Sequence, residues 1–289
     1  MTGSENINIC LDAIISSIAV NSAEYAMAHA EPEDYINPTN GLVYCGRCHT
    51  PKQCVIRNLR TGGDMTVNCI CKCDVASSAK EARNKELAEL AERKKNSRIP
   101  SSLLGAEFCV IDDVKKRKNG INYVVNFDKI GSSGLLLYGD VGTGKSYMAA
   151  CIANALMEAK HSVRWLQTTQ ITEMCGFYSE EQYYAHLNDI SYPDLLIIDD
   201  LRAERGTDFA AERVHALIDY RISTGKPLII TTNLELSEMR ETSDIRKKRT
   251  YDRIFNACFP IAFHGTSFRQ KQARDNFMMM NELLNEDNT

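Results

Sequence analysis

The sequence predicts an α/β protein: a parallel sheet with helices on both faces, preceded by a small cysteine-rich module and a linker helix. Three observations lead there. First, an apolar run at 134–138 passes into the glycine loop GDVGTGKS and then into an apolar-periodic stretch, the pattern of strand, loop and helix. Second, the runs at 193–200 and 226–233 are near-continuous apolar blocks that end in Asp199-Asp200 and in Asn233, as strands covered on both faces do. Third, six of the 11 cysteines fall between Cys45 and Cys73.

A length of 289 residues suits one α/β domain with a smaller appendage, and 44% hydrophobic with 25% charged residues allows a sizeable core. The net charge of -4 hides an asymmetry. Residues 1–43 carry six acidic groups and no Lys or Arg, whereas 44–98 carry twelve basic and six acidic groups. The basic stretch suits nucleic acid or an acidic protein face, or is solvated linker surface. No run approaches the roughly 18 uncharged apolar residues of a membrane span. The first 45 residues lack the basic start of a signal peptide, so a cytoplasmic protein without a membrane partner is expected. In a reducing compartment, clustered thiols favour metal over disulfides.

Along the chain, residues 7–28 place Ile7, Leu11, Ile14, Ile15 and Ile18 at helical spacing, predicting an amphipathic helix that packs within the chain or docks on a partner. Cys45 and Cys48 have the CxxC spacing of a zinc knuckle. Cys69, Cys71 and Cys73 alternate at period two, which on a strand puts all three on one side. Cys71 and Cys73 are preferred as the second pair, because Cys69 continues the apolar alternation of Met65 and Val67; Cys69, Cys54 and His49 are the reserves. Four thiolates leave no open position for water, so the zinc expected here is structural. Residues 76–96 are rich in Ala, Glu, Lys, Arg and Leu with a thin apolar stripe, predicting an exposed linker helix that ends before Ile99-Pro100. The expected organisation is therefore a helix and zinc module at 1–75, a linker helix at 76–98, and an α/β domain at 99–289 with a short polar tail. Phe108, Val110, Ile111, Val124, Val125 and Phe127 make an apolar lead-in expected to cover an adenine.

The loop fits GxxxxGK[ST], in which glycines let backbone N–H groups turn around a polyphosphate at a helix N-terminus. Candidate ATP-binding residues are Gly139, Asp140, Val141, Gly142, Thr143, Gly144, Lys145, Ser146 and Tyr147. Lys145 reaches the β/γ-phosphates and Ser146 ligates Mg²⁺. Residues 163–166 read as a second strand and 171–178 as a helix. Asp199 and Asp200 fall at the carboxyl end of a parallel strand, where ligands bind in open sheets. Asp199 is expected to hold Mg²⁺ through water, and Asp200 or Glu204 to orient the attacking water as general base. Asn233 ends a neighbouring strand on the same crevice and can bond the water or γ-phosphate. After the helix at 209–223, the stretch 240–253 holds six basic residues, with Arg249 and Arg253 four apart on one helical face. A fifth strand at 259–263 and the sequence Ser267-Phe268-Arg269 precede the polar tail.

These pieces in this order resemble an AAA+ P-loop ATPase of the bacterial and phage helicase-loader type, the DnaC/DnaI and IstB-like group. The resemblance covers roughly 98–275, and more loosely 44–75. GDVGTGKS matches Walker A, LLIIDD matches Walker B, and KPLIITTN is similar to the segment bearing sensor 1, at Asn233. RTYDRI resembles an R-x-x-x-R box, which implies that Arg253 is an arginine finger acting on a neighbouring subunit's ATP, with Arg249 its companion. SFR resembles sensor 2, which implies that Arg269 contacts nucleotide in cis. The chain departs from the pattern at Arg202, where many relatives have glycine, and in the spacing of its module's cysteines.

The resemblance implies a loader that places a hexameric replicative DNA helicase on single-stranded DNA, self-associating through its ATPase domain and hydrolysing ATP at subunit interfaces. The other reading is an IstB-like regulator that delivers a transposase to DNA. A small-molecule kinase would share the phosphate loop but needs a lid arginine cluster in place of Walker B and a sensor Asn.

Overall fold

The structure, a computed structural model, describes residues 31–58, 62–174, 180–201 and 208–285. The expected helix at 7–28, Arg202 and Glu204 lie outside them. The chain divides into two compact units between Leu87 and Ala88.

In the first unit, strands β1 (Tyr35–Ile36) and β2 (Val43–Tyr44) form a short antiparallel pair, and β3 (Gln53–Arg57) and β4 (Asp64–Asn68) a hairpin. Among its described residues only Cys45, Gln53 and Cys71 are buried. So small a core does not hold a fold by apolar burial alone, and units of this size are commonly stapled by metal or disulfide. Helix α1 (Lys72–Ser97) crosses the division between the units. It begins four residues before the expected linker helix and takes in Cys73, while the β4 ladder stops at Asn68. Cys71 and Cys73 are therefore not on a strand, contrary to the period-two reading. Cys71 instead starts the helix: its carbonyl accepts from Val75 N–H (3.0 Å) and its Sγ from Asp74 N–H (3.4 Å), with the Asp74 carboxylate favourably placed in the first turn. At the other end Arg98, with φ 58°, takes the left-handed conformation that closes a helix ahead of Pro100.

The second unit is built on helices α2 (Val114–Val125), α3 (Lys145–Glu158), α4 (Thr168–Met174), α5 (Glu180–Ser191), α6 (Asp208–Ser223), α7 (Leu236–Arg240), α8 (Ile245–Ala257) and α9 (Phe268–Asn285). Its strands are β5 (Gly134–Gly139), β6 (Val163–Gln167), β7 (Leu195–Leu201), β8 (Leu228–Thr232) and β9 (Cys258–Phe263). They form one sheet in the order β6-β7-β8-β5-β9, every neighbouring pair parallel. Successive strand residues point to opposite faces, so each apolar run feeds two layers. Leu135, Leu137, Ile197 and Ile229 pack with α3 and Trp165; Leu136, Leu196, Ile198 and Ile230 pack with Ile171, Leu217, Ile218 and Ile254 from the other helices. Each such side chain, fully buried, contributes about 1.5–3 kcal/mol.

Arg221 is fully buried where β7 and β8 begin. Its guanidinium donates to the carbonyls of Pro193 (2.7 Å), Asp194 (2.7 Å) and Pro227 (2.7 Å), and also to that of Ser191. Burial pushes its pKa down to about 10, so it remains a cation, compensated by backbone oxygens. The strand at 226–233 is seen as β8 and the fifth strand as β9. The basic stretch 240–253 divides between α7 and α8, broken by residues that include the α8 N-cap Asp244. The expected polar tail is instead the helix α9. Among the described residues no helix is long and apolar enough to cross a membrane.

Candidate active site

The phosphate loop hangs between β5 and α3 with its backbone curled inward. Gly142 has φ 78°, and a Cβ there would come within 2.1 Å of Ser267 Oγ, so a side chain here would be strained and would displace Ser267. The Ser267-Phe268-Arg269 segment closes on the loop through Phe268 N–H to Gly142 O (2.9 Å), while Asp140 N–H is held by Phe263 O (2.9 Å). Thr143 Oγ1 donates back to Asp140 O (2.7 Å). Lys145, buried at the first turn of α3, donates from Nζ to Gly139 O (2.8 Å) and Asp140 O (2.5 Å). Burial lowers its pKa, against the opposite pull of the Asp140, Asp200 and Asp199 carboxylates; Arg269 lies close enough to lower it further. Val141 is exposed, and the Tyr147 hydroxyl accepts from Glu107 N–H (3.2 Å), tying the lead-in to α3. In that lead-in Phe108, Ile111, Val124 and Phe127 pack on the core, whereas Val110 and Val125 are exposed.

Across from the loop, β7 supplies the acids and β8 the hydroxyl that holds them. Asp199 is 6% exposed, and its Oδ1 accepts from the hydroxyls of Ser146 (2.7 Å) and Thr231 (2.6 Å). Asp200 is one of the few non-glycine residues with positive φ (59°), and the β7–β8 register shifts between Ile198 and Leu201. Its N–H donates to Thr231 Oγ1 (2.9 Å) and its Oδ1 accepts from Asn233 Nδ2 (3.2 Å). Thr232 Oγ1 secures the strand beyond the shift by donating to Leu201 O (2.6 Å). The crevice thus joins Lys145, Ser146, Asp199, Asp200 and Asn233, all read from the sequence, with Arg269 beside them. Thr231 was missed; its only sequence signal is the polar tip of an apolar strand.

Arg249 and Arg253 are exposed on α8. Arg253 Nε donates to Asp219 Oδ1 on α6 (3.0 Å), with 56% and 43% of the two side chains exposed.

In the first unit the ligand atoms of Cys45, Cys48, Cys71 and Cys73 all lie within 4.8 Å of one another. Gly46 sits in the knuckle where a Cβ would come within 2.0 Å of Glu33 O. The Thr50 hydroxyl holds the Cys48 thiol down at about 5, whereas burial among other thiols pushes Cys71 up. A dication among them would draw all four toward the thiolate, the donor set a tetrahedral zinc takes. Cys69 stands apart, its Sγ on Pro51 O (3.3 Å), and Cys54 and His49 are also outside the group.

The family model described as IstB-like ATP binding protein matches residues 102–276. The chain is similar to an ATP-binding protein in an insertion sequence of Mycobacterium tuberculosis, 26% identical over 141 residues that cover 48% of this chain and 56% of the relative. It is also similar to the replicative helicase loader DnaI of Bacillus subtilis, 25% identical over 192 residues that cover 61% of this chain and 62% of the relative. Neither match reaches two thirds of the relative's own length. The crystal structure of a DnaI aligns with a TM-score of 0.50 at 22% identity, covering 61% of this chain and 98% of that one, a likeness of fold.

Proposed function

The chain belongs to the IstB-like ATP-binding protein family, and from that premise we propose that it is an AAA+ ATPase that loads a hexameric replicative DNA helicase onto single-stranded DNA. The observation that carries the ATPase reading is the convergence of the Ser146 and Thr231 hydroxyls on the buried Asp199 carboxylate, with the buried Lys145 next to Ser146 in the chain. Hydroxyl and carboxylate oxygens are the hard donors that Mg²⁺ takes alongside phosphates. Ser146 and Asp199 would hold it, and when bound it neutralises charge building on the phosphate oxygens. The loop amides from Gly139 to Gly144 and Lys145 bind the phosphates. Asp200 orients the attacking water and takes its proton, and Asn233 positions that carboxylate. Arg269 contacts nucleotide in cis. Arg253, with Arg249 beside it, reaches the ATP of a neighbouring protomer, so the pocket of a single chain is incomplete.

The loader reading draws on the DnaI relative and on the thiol-rich first unit, which would carry structural Zn²⁺ and engage the helicase. The matching domains would be 1–75 for partner binding, 76–98 as linker and 99–289 as ATPase. The insertion-sequence relative supports a second reading, an ATPase that delivers a transposase to DNA with the same ATP residues. Full-length chain is incubated with a hexameric ring helicase and captured with and without zinc chelation, and ATP turnover is measured with single- and double-stranded DNA. Capture that is lost on chelation, with turnover stimulated by single strands, supports loading. Absence of capture, with stimulation by duplex alone, overturns it in favour of transposition.

A further inference from the structure

We propose that Thr231 is a positioning residue that sets both carboxylates of the ATP site through its one hydroxyl, and that Asp200 is thereby the acid aimed at the attacking water. The proposal rests on the ATPase reading above. A threonine hydroxyl has one proton to give and lone pairs to accept with. Here the proton goes to Asp199 Oδ1 (2.6 Å), and a lone pair receives the Asp200 N–H (2.9 Å). Thr231 is 1% exposed, so neither bond is shared with bulk water.

The geometry explains why such a clamp is required. Consecutive residues of a regular strand point to opposite faces, so Asp199 and Asp200 could not both serve one crevice. The left-handed φ of Asp200 (59°) and the register shift between Ile198 and Leu201 break that alternation. Both carboxylates then act on Lys145. The Asp200 amide, off the regular ladder, donates to the Thr231 oxygen. Asn233 then takes hold of the carboxylate. One hydroxyl on β8 thus fixes the magnesium-holding acid on one side and the backbone of the water-orienting acid on the other.

The test compares wild type, Thr231→Val, which keeps the volume, and Thr231→Ser, which keeps the hydroxyl. Affinity for a fluorescent ATP analogue is measured with Mg²⁺ and with chelator, alongside kcat and KM. Outer partners of metal-holding carboxylates typically count for about 10–100-fold in metal affinity or activity. Valine should therefore lose about that factor in the Mg²⁺-dependent part of affinity and in kcat. In chelator it should bind as wild type does, and serine should restore both properties to within a few-fold. Valine equal to wild type in both assays, or serine as impaired as valine, overturns the clamp. Should valine fail to give a cooperative melt, Thr231→Cys, near the same volume but a weaker bonding group, is read in the same assays with the same criteria. A wild type that binds Mg-ATP without hydrolysing it under any assembly condition defeats the ATPase reading alone, since the affinity comparison still judges Thr231. A wild type with no Mg²⁺-dependent gain in affinity overturns both.

Discussion

Replacing Arg253 by alanine should separate the chemistry of this site from its folding. Within its own chain Arg253 makes an ion pair with Asp219 at 3.0 Å, and about half of each side chain is open to solvent. A pair so exposed contributes about 0–1 kcal/mol once screening is counted. Its loss should lower the Tm of a domain this size by no more than about 2–4 °C. A guanidinium delivered from a neighbouring protomer to the transition state is a different matter, with an effect of about 10³–10⁵ in rate. At 1.36 kcal/mol per decade that is roughly 4–7 kcal/mol of barrier. The variant should therefore melt and bind ATP nearly as wild type does, while turnover at assembling concentrations falls by about 10³ or more, to the rate of an isolated chain. A mixing assay decides whether the arginine acts in trans. Lys145→Ala cannot hold the phosphates but keeps its arginine, and Arg253→Ala holds ATP but offers no arginine. In a random equal mixture of a head-to-tail assembly about a quarter of interfaces unite the two intact halves, so about a quarter of wild-type turnover should return. A mixture as inactive as its parts, or full turnover by a demonstrated monomer, would refute the reasoning.

Arg221→Met leaves four buried carbonyls without their donor and should cost about 3–5 kcal/mol, read as a Tm lower by roughly 6–20 °C. Zinc content should be near one ion per chain by atomic absorption, lost in Cys71→Ser and retained in Cys69→Ser, because only the former belongs to the four converging thiols. The Asp194 carboxylate is raised by burial but lowered more by the Ser162 N–H and hydroxyl (both 2.8 Å), so its folded pKa lies below the ordinary value. Its stabilisation is then complete above the unfolded pKa and lost as pH falls through the folded one. The urea-midpoint gap between wild type and Asp194→Asn should be full at pH 6 and shrink below about pH 4.

Where the fold was legible in the sequence, burial on both sides had forced the composition. The runs that became β5, β7 and β8 had no freedom to alternate, since both faces of a parallel sheet are covered. Where an element has one free face that argument weakens. The structure brings together the thiols of Cys45, Cys48, Cys71 and Cys73, the set preferred from the sequence, but the preference for the second pair leaned on a strand period that does not exist. Two residues apart on a strand and two apart at the start of a helix are indistinguishable in spacing, and the helix begins because Cys71 can cap it. The C-terminal helix was read as a tail for the opposite reason. Its Phe277, Met279, Leu283 and Leu284 are exposed and mark no buried face, yet its Gln, Lys, Ala, Arg, Met, Leu and Glu residues have high intrinsic helix propensity. Propensity was the better signal there, and periodicity the wrong one.

The candidate site divides along the same line. Lys145, Asp199 and Thr231 are buried and multiply bonded, whereas Asn233, Arg249, Arg253 and Arg269 are exposed. Asn233 and Arg269, read as acting in cis, share that exposure; for Arg253 and Arg249 it is what the proposed contact with a neighbouring protomer would require. Groups that meet the phosphates in cis gain from being fixed beforehand, because dipoles already oriented need no reorganisation when charge develops. A group that must cross to a neighbour cannot be buried in its own chain. It has to wait in solvent, held by something weak enough to release it, and a half-exposed pair with Asp219 meets that condition. The consequence for reading sequences is asymmetric. The preorganised half leaves a pattern of glycines and apolar strands that end in polar residues, so physical reasoning finds it. Arg253, proposed to cross to a neighbour, looks like any solvated arginine on a helix, and only the order of motifs along the chain singled it out. Thr231 belongs to the first half and was still missed, because its role depends on a left-handed residue and a slipped ladder in the strand beside it, and neither has a signature in the spacing of β8.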